Sequence, residues 1–162
     1  MDFSVGVGLT NACDLACAHC YRDVDRIDQL TQAQVLGVCD GLPVRSLNLG
    51  TGENGLHPDY PAIVRALAAR GVKLSLTSNG YTIDRSSDET LEAFREVEVS
   101  IDFPTEREQD AFRGAGNWRR VMAGIDRAQR LGLTVTVLSV ASLFGEAIRR
   151  IHEEASISAL FR

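Results

Sequence analysis

The chain has 162 residues, 44% hydrophobic and 24% charged, with a formal net charge of -5. That composition suits one globular domain over residues 1–162, and an acidic balance argues against a broad basic surface for nucleic acid. No apolar run approaches the ~20 residues that cross a bilayer, and Met1-Asp2-Phe3-Ser4 lacks the basic start of a secretory signal. The expectation is a cytoplasmic protein with no membrane partner.

Phe3 to Leu9 reads as a first strand, with Gly6 and Gly8 leaving room for another backbone to approach. It leads into Thr10-Asn11-Ala12-Cys13-Asp14-Leu15-Ala16-Cys17-Ala18-His19-Cys20-Tyr21, where three of the four cysteines stand at spacings x3 and x2. Thiols clustered in one loop, in a chain without export features, favour metal binding over a disulfide scaffold. Three ligands from one loop leave one corner of a cubane iron–sulfur cluster open to an exogenous molecule. The rival readings are a structural zinc closed by His19 or Cys39, and three unconnected buried thiols. His19 sits between two of the cysteines, a strained place from which to reach the same metal, and Cys39 falls in a predicted helix as a small apolar residue.

Asp23 to Leu30 is polar connection. Thr31-Gln32-Ala33-Gln34 has the form of a capping box, and a helix follows to about Asp40, ended by Gly41 and Pro43. Ser46 to Leu49 is a short second strand that runs into Gly50-Thr51-Gly52-Glu53. Two glycines there allow a tight turn that exposes backbone amides and carbonyls to a ligand, with Glu53 as an anchor for a cation; an ordinary turn after a strand has the same look. His57 to Pro61 opens a second helix, His57 as a loop or capping residue, and Ile63, Ala66, Leu67 and Arg70 keep helical spacing until Gly71.

Val72 to Thr77 is a third strand closed by the turn Ser78-Asn79-Gly80, and a third helix covers Ser87 to Glu96 with Leu91 and Phe94 inward. From Glu96 to Asp102 the residues alternate, Val97, Val99 and Ile101 against Glu98, Ser100 and Asp102. The polar set faces water in a half-exposed sheet, or the lumen in a barrel. Asn117 caps a fourth helix with Val121, Met122, Ile125, Ala128 and Leu131 inward, ended by Gly132. Leu133 to Val140 is a fifth strand, Gly145 to Ala155 a fifth helix with His152 outward, and Ile157 to Phe161 a sixth strand. Alternation at this rhythm implies an α/β fold, a partial (βα) barrel of five to six parallel strands, TIM-barrel-like and open on one side.

The Cys-x3-Cys-x2-Cys loop, opened by Leu9-Thr10-Asn11 and closed by Tyr21, resembles the cluster loop of radical S-adenosylmethionine (radical SAM) enzymes. The resemblance continues in chain order. Gly50, Gly52 and Glu53 match a Gly-Gly-Glu-Pro motif, with Thr51 as a departure and Asn54 in place of the proline. Ser78-Asn79-Gly80 is similar to Thr-Asn-Gly, Ser100-Ile101-Asp102 to Ser-x-Asp, and the stretch from Gln109 to Arg113 to His-Asp-x-x-Arg with Gln109 replacing the histidine. The resemblance implies that Cys13, Cys17 and Cys20 hold a 4Fe-4S cluster whose open iron is chelated by S-adenosyl-L-methionine. It further implies that Gly50, Gly52 and Glu53 contact the methionine amino group, Arg113 its carboxylate and His19 the adenine, while Ser78, Asn79, Ser100 and Asp102 face the cofactor. Reductive cleavage would then give a 5′-deoxyadenosyl radical that abstracts hydrogen from an unidentified small-molecule or peptide substrate, with a flavodoxin- or ferredoxin-like electron donor.

Family cores usually carry six βα units, and no sixth helix fits before Arg162. The expectation is a shortened barrel, a fragment, or a chain completed by a second copy or a C-terminal partner. A non-catalytic iron–sulfur binding module and a zinc-stabilised interaction domain stay open as alternatives.

Overall fold

The computed structural model describes residues 2–17, 19–138, 149–150 and 152–153. Its frame is one parallel sheet of five strands: β1 (Phe3–Val7), β2 (Val44–Leu49), β3 (Lys73–Ser78), β4 (Phe94–Ser100) and β5 (Thr134–Leu138). Each strand pairs with the next in sequence, so every crossover steps one place in the same direction. That is the growth pattern of a (βα) barrel, and among the described residues the sheet is not closed. The expected sixth strand and the far end of the fifth fall outside the described residues. So does most of the fifth expected helix, of which His152 is exposed as anticipated.

The alternation of each strand decides which face is packed. Leu47, Leu49, Leu74, Leu76, Val97 and Val99 are at most 1% exposed on one face. Onto them fold α1 (Gln32–Gly41) through Val35, α2 (Tyr60–Ala69) through Ile63, Val64 and Leu67, and α6 (Asn117–Arg130) through Val121 and Ala128. Each such side chain contributes roughly 1.5–3 kcal/mol by leaving water. The opposite face is polar: the register sets Asn48 beside Ser75, Thr77 beside Glu98, and Glu98 beside Thr136. No described helix is long and apolar enough to cross a membrane.

Thr31 caps α1 in the expected box, its side chain accepting from the Gln34 amide while the Gln34 side chain accepts from the Thr31 amide. Several expectations are corrected. The third helix is shorter, α4 (Asp88–Glu92), capped by Ser87, and Phe94 is buried as the first residue of β4. The Leu91 to Phe94 interval mimics helical spacing, but Phe94 pairs with Leu74 and so belongs to the sheet. Asn117 is the first residue of α6 and not its cap; Gly116 takes that place at φ 81°, a left-handed conformation that glycine tolerates. Met122 is 38% exposed, so it is not core filler; Val121, Gly124 and Ala128 form the buried stripe beside it. Two helices were not anticipated, α3 (Tyr81–Arg85) and α5 (Glu106–Arg113), as well as a 3-10 turn over Asn54–Leu56. All three flank the site.

Candidate functional site

The cysteine loop is closed at its base before any ligand enters. Thr10 bridges antiparallel to Gln29, and the Leu30 amide donates to the Leu9 carbonyl at 2.9 Å. Asn11 then spans the loop, accepting from the Asp28 amide at 2.8 Å and donating to the Arg26 carbonyl at 2.7 Å. From inside, Arg22 donates to the carbonyls of Asn11 (3.1 Å) and Leu15 (2.5 Å). Backbone carbonyls inside a loop need such donors, and sequence reasoning passed over Arg22 because a loop arginine carries no pattern of its own.

The turn after β2 seats this loop. Thr51 and Gly52 are both left-handed, at φ 65° and 63°. A Cβ on Gly52 would lie 2.5 Å from the Ala12 carbonyl oxygen and 2.6 Å from that of Thr10, so the loop backbone occupies the space a side chain would need. The Glu53 amide donates to the same Ala12 carbonyl at 2.7 Å. Gly8 makes a close approach of the expected kind, its missing Cβ lying 2.8 Å from the Thr51 Cβ, whereas Gly6 has nothing nearby. Asn54, the departure from proline, is fully buried; its Oδ1 accepts from the Leu9 amide at 2.8 Å, locking the turn to the end of β1. Gly50 lies deeper, its amide bonded to the Val7 carbonyl. His57 is buried and structural, with Nε2 2.9 Å from the Leu30 carbonyl and Nδ1 accepting from the Asp59 amide.

Glu53 is 2% exposed. Its carboxylate accepts four hydrogen bonds: from the Ser78 hydroxyl (2.8 Å), the Asn79 amide (2.5 Å), and the Thr82 amide (3.0 Å) and hydroxyl (2.6 Å). Burial pushes its pKa up from the ordinary carboxylate value, and the bonds from Asn79, Thr82 and Ser78 oppose the rise. The side chain thus fastens the β2 turn to the start of α3.

A second chain of polar contacts runs from the end of β4 to the cysteines. Gln109 is fully buried; its Oε1 accepts from the amides of Asp102 (2.9 Å) and Phe103 (3.1 Å), and its Nε2 donates to Asn117 Oδ1 (2.8 Å). Asn117 Nδ2 donates to the Asn79 carbonyl at 2.9 Å. Asn79 Nδ2 in turn reaches Asp14 Oδ1 (3.0 Å) and Cys13 Sγ (3.5 Å), and Asp14 is ion-paired with Arg120. Replacing Asn117 by alanine takes the donor from the buried Asn79 carbonyl and leaves the Gln109 side-chain amide only its longer bond to the Ser100 carbonyl at 3.4 Å, which costs about 2 kcal/mol. The expected result is a thermal midpoint lower by about 4–8 °C, and an unchanged midpoint in calorimetry would remove this relay.

Arg113 pairs through Nε with Asp102, and its two terminal nitrogens have no partner among the described residues. His19 stacks on Phe112 with centroids 4.8 Å apart, and Phe112 meets Phe103 edge-on. A cavity of about 230 Å³ brings together Cys13, Cys17 and Cys20 with His19, Gly52 and Glu53 on one side. Ser78, Asn79, Ser100 and Arg113 complete it from the ends of β3, β4 and α5. Of the expected site residues, Gly50 and Asp102 stand behind this wall, the latter as the partner of Arg113.

The donor set fits a cluster. Among the described residues no three His, Cys, Asp or Glu side chains converge on a point suited to a single metal ion. Thiolates of a cubane bind separate irons, so three thiols arranged around a cavity suit it, whereas tetrahedral zinc draws every ligand to within about 2.3 Å of one centre. His19 is engaged with Phe112, and Cys39 lies on α1 against the core. Burial pushes the Cys13 thiol up to about 11 and also raises Cys17, against the pull of Arg113. In metal-free protein Cys13 should therefore alkylate slowly at pH 8, with a rate climbing about tenfold per pH unit toward its pKa. Peptide mass spectrometry of iodoacetamide-treated protein reads this, and a flat pH profile would contradict it.

A family model for the radical SAM superfamily matches residues 7–155. The chain belongs to the radical SAM superfamily. Its curated relatives include a GTP 3′,8-cyclase of Caulobacter vibrioides, 33% identical over 150 residues, covering 83% of this chain and 42% of that protein. Mycofactocin maturase MftC of Mycobacterium ulcerans is 30% identical over 139 residues, covering 82% of this chain and 38% of the relative. Among solved structures, Streptococcus suis SuiB superposes with a TM-score of 0.70 at 15% identity, over 94% of this chain and 38% of SuiB. SuiB bound to S-adenosylmethionine gives a TM-score of 0.66 at 16% identity, with 94% of this chain and 39% of that one covered. Across the first three curated relatives the chain spans between 38% and 51% of their length. Radical SAM proteins use a 4Fe-4S cluster and S-adenosylmethionine, the cofactors that the family resemblance implied.

Proposed function

We propose that this chain is the cofactor-binding core of a radical SAM enzyme, with Cys13, Cys17 and Cys20 as cluster ligands and the adjoining cavity as the S-adenosylmethionine site. The observation that carries the reading is that one cavity gathers the three thiols with Gly52, Ser78, Asn79, Ser100 and Arg113, which come from the ends of separate elements. When bound, the reduced cluster and S-adenosylmethionine supply a 5′-deoxyadenosyl radical that takes hydrogen from a substrate.

The protein's own part is orientation. Gly52 and the backbone around Thr51 present peptide groups to the methionine amino group, and Gly50 and Glu53 hold that turn in place. The terminal nitrogens of Arg113, without a partner among the described residues, offer paired donors to the carboxylate, with Asp102 fixing the guanidinium. His19, flat against Phe112, gives adenine an aromatic edge to pack on. Asn79 donates toward Cys13 Sγ, a bond of the kind that raises a cluster's reduction potential. A cytoplasmic setting keeps the thiols reduced, and a small flavodoxin- or ferredoxin-like protein supplies the electron. The sheet, open among the described residues, suits completion by a second copy or by further chain.

Anaerobic reconstitution with iron and sulfide, followed by dithionite and S-adenosylmethionine, tests this. The expected result is broad visible absorption and 5′-deoxyadenosine in the product mixture, both lost in the Cys13→Ala, Cys17→Ala and Cys20→Ala variants. Colour without cleavage would leave only a cluster-binding module.

A further inference from the structure

The polar face of the sheet holds a second cavity, of about 300 Å³, in whose lining Glu98 is the one charged group among the described residues. Ser4, Ser46, Asn48 and Ser75 supply the rest of its polar lining. The Glu98 carboxylate is held through Oε2 alone, by the Thr77 hydroxyl at 2.5 Å and by Asn48 Nδ2 at 3.3 Å. Asn48 is itself fixed, donating to Ser75 Oγ at 3.0 Å. Oε1 has no hydrogen-bond partner and Glu98 no ion pair among the described residues. Thr77 also lines the cofactor cavity, so the Thr77–Glu98 bond joins the two spaces.

We infer that Glu98 is a substrate-recognition residue and that the substrate presents a cationic N–H group, a protonated amine or a guanidinium, to its free oxygen. The carboxylate is acceptor-only, both of its donors are neutral, and no cation pairs with it among the described residues. A guest that filled the cavity with an apolar or acceptor-rich end would strip water from that charge and offer nothing in return. A cationic donor forms a charge-assisted bond roughly twice as strong as a neutral one, and an anionic end is repelled. The guest would then extend past Thr77 toward the cofactor cavity. The inference rests on the proposed function for calling the guest a substrate, and on the geometry alone for its charge.

The test uses the full chain without cofactors. n-Butylammonium chloride and sodium butyrate are titrated separately at constant ionic strength, following the Asn48 side-chain amide and the Thr77 backbone amide by nitrogen-edited NMR. Saturable shifts with butylammonium, none with butyrate, and affinity about tenfold weaker in Glu98→Gln are expected. Equal response to the two ions, no response to either, or undiminished binding in Glu98→Gln would overturn the assignment. The wild-type comparison decides by itself if Glu98→Gln does not fold. Selective ammonium binding in a chain that yields no 5′-deoxyadenosine would sink the radical chemistry and keep Glu98. Cleavage without ammonium binding would do the reverse.

Discussion

Alanine at Gly52 should lower the stability of the metal-free chain by about 4 kcal/mol, a fall of roughly 8–16 °C in thermal midpoint for a protein of this size. Two penalties add. The residue is left-handed at φ 63°, where any side chain costs roughly 1–2 kcal/mol. The new Cβ would also press on the carbonyls of Thr10 and Ala12 at 2.6 and 2.5 Å, and backbone cannot swing aside as a long side chain could. The relief available is to push the cysteine loop off the turn, which breaks the Glu53 amide bond to Ala12. Circular dichroism melts of the metal-free protein measure the loss. Iron content after reconstitution should fall with it, because Cys13 is the residue next to the displaced carbonyl. A variant that melts like the wild type would show that the turn does not seat the loop.

Glu53→Ala should be about as damaging, near 4 kcal/mol, for a different reason. The side chain satisfies two backbone amides, those of Asn79 and Thr82, and both hydroxyls that close around it. Each amide left buried without an acceptor costs about 1–3 kcal/mol. Glu53→Gln keeps the shape but turns an NH2 toward one set of donors, so a loss of about 2 kcal/mol is expected. Denaturant titration of the metal-free protein ranks the three forms, and because no cofactor is present the ranking reports scaffold and not catalysis. If alanine and glutamine were equally mild, Glu53 would be free to serve a ligand instead of the fold.

These two residues show where the sequence was legible. Glycine at a close approach and a carboxylate after it form a short, local pattern, and the cysteine spacing is equally local. Strand alternation was legible for the same reason: Val97 and Val99 against Glu98 and Ser100 expose the packed face without any knowledge of neighbours. What stayed hidden depends on partners distant in the chain. Gln109 is legible only as a substitution for a motif histidine until β4 and α6 close over it, and Asn117 looks like a cap until folding brings the Asn79 carbonyl within reach of its side-chain amide. Thr82 lies in a five-residue helix too short for a periodic signature, and its part in holding Glu53 emerges only when the β2 turn folds back 29 residues. Arg113 was expected as a binder of the methionine carboxylate from its motif, but its tether to Asp102 was not legible there.

The strap at the foot of the cysteine loop has a consequence for the life of the protein. Thr10 with Gln29, and Leu9 with Leu30, hold the two ends together by peptide bonds' own donors and acceptors, none of which belongs to the thiols. Small zinc domains unravel when stripped, because the ion is their core. Here the hydrophobic interior is elsewhere, so the polypeptide should keep its shape with no cluster bound. Loss of the centre and loss of the fold are then separate events, and the metal-free chain should melt as a cooperative unit.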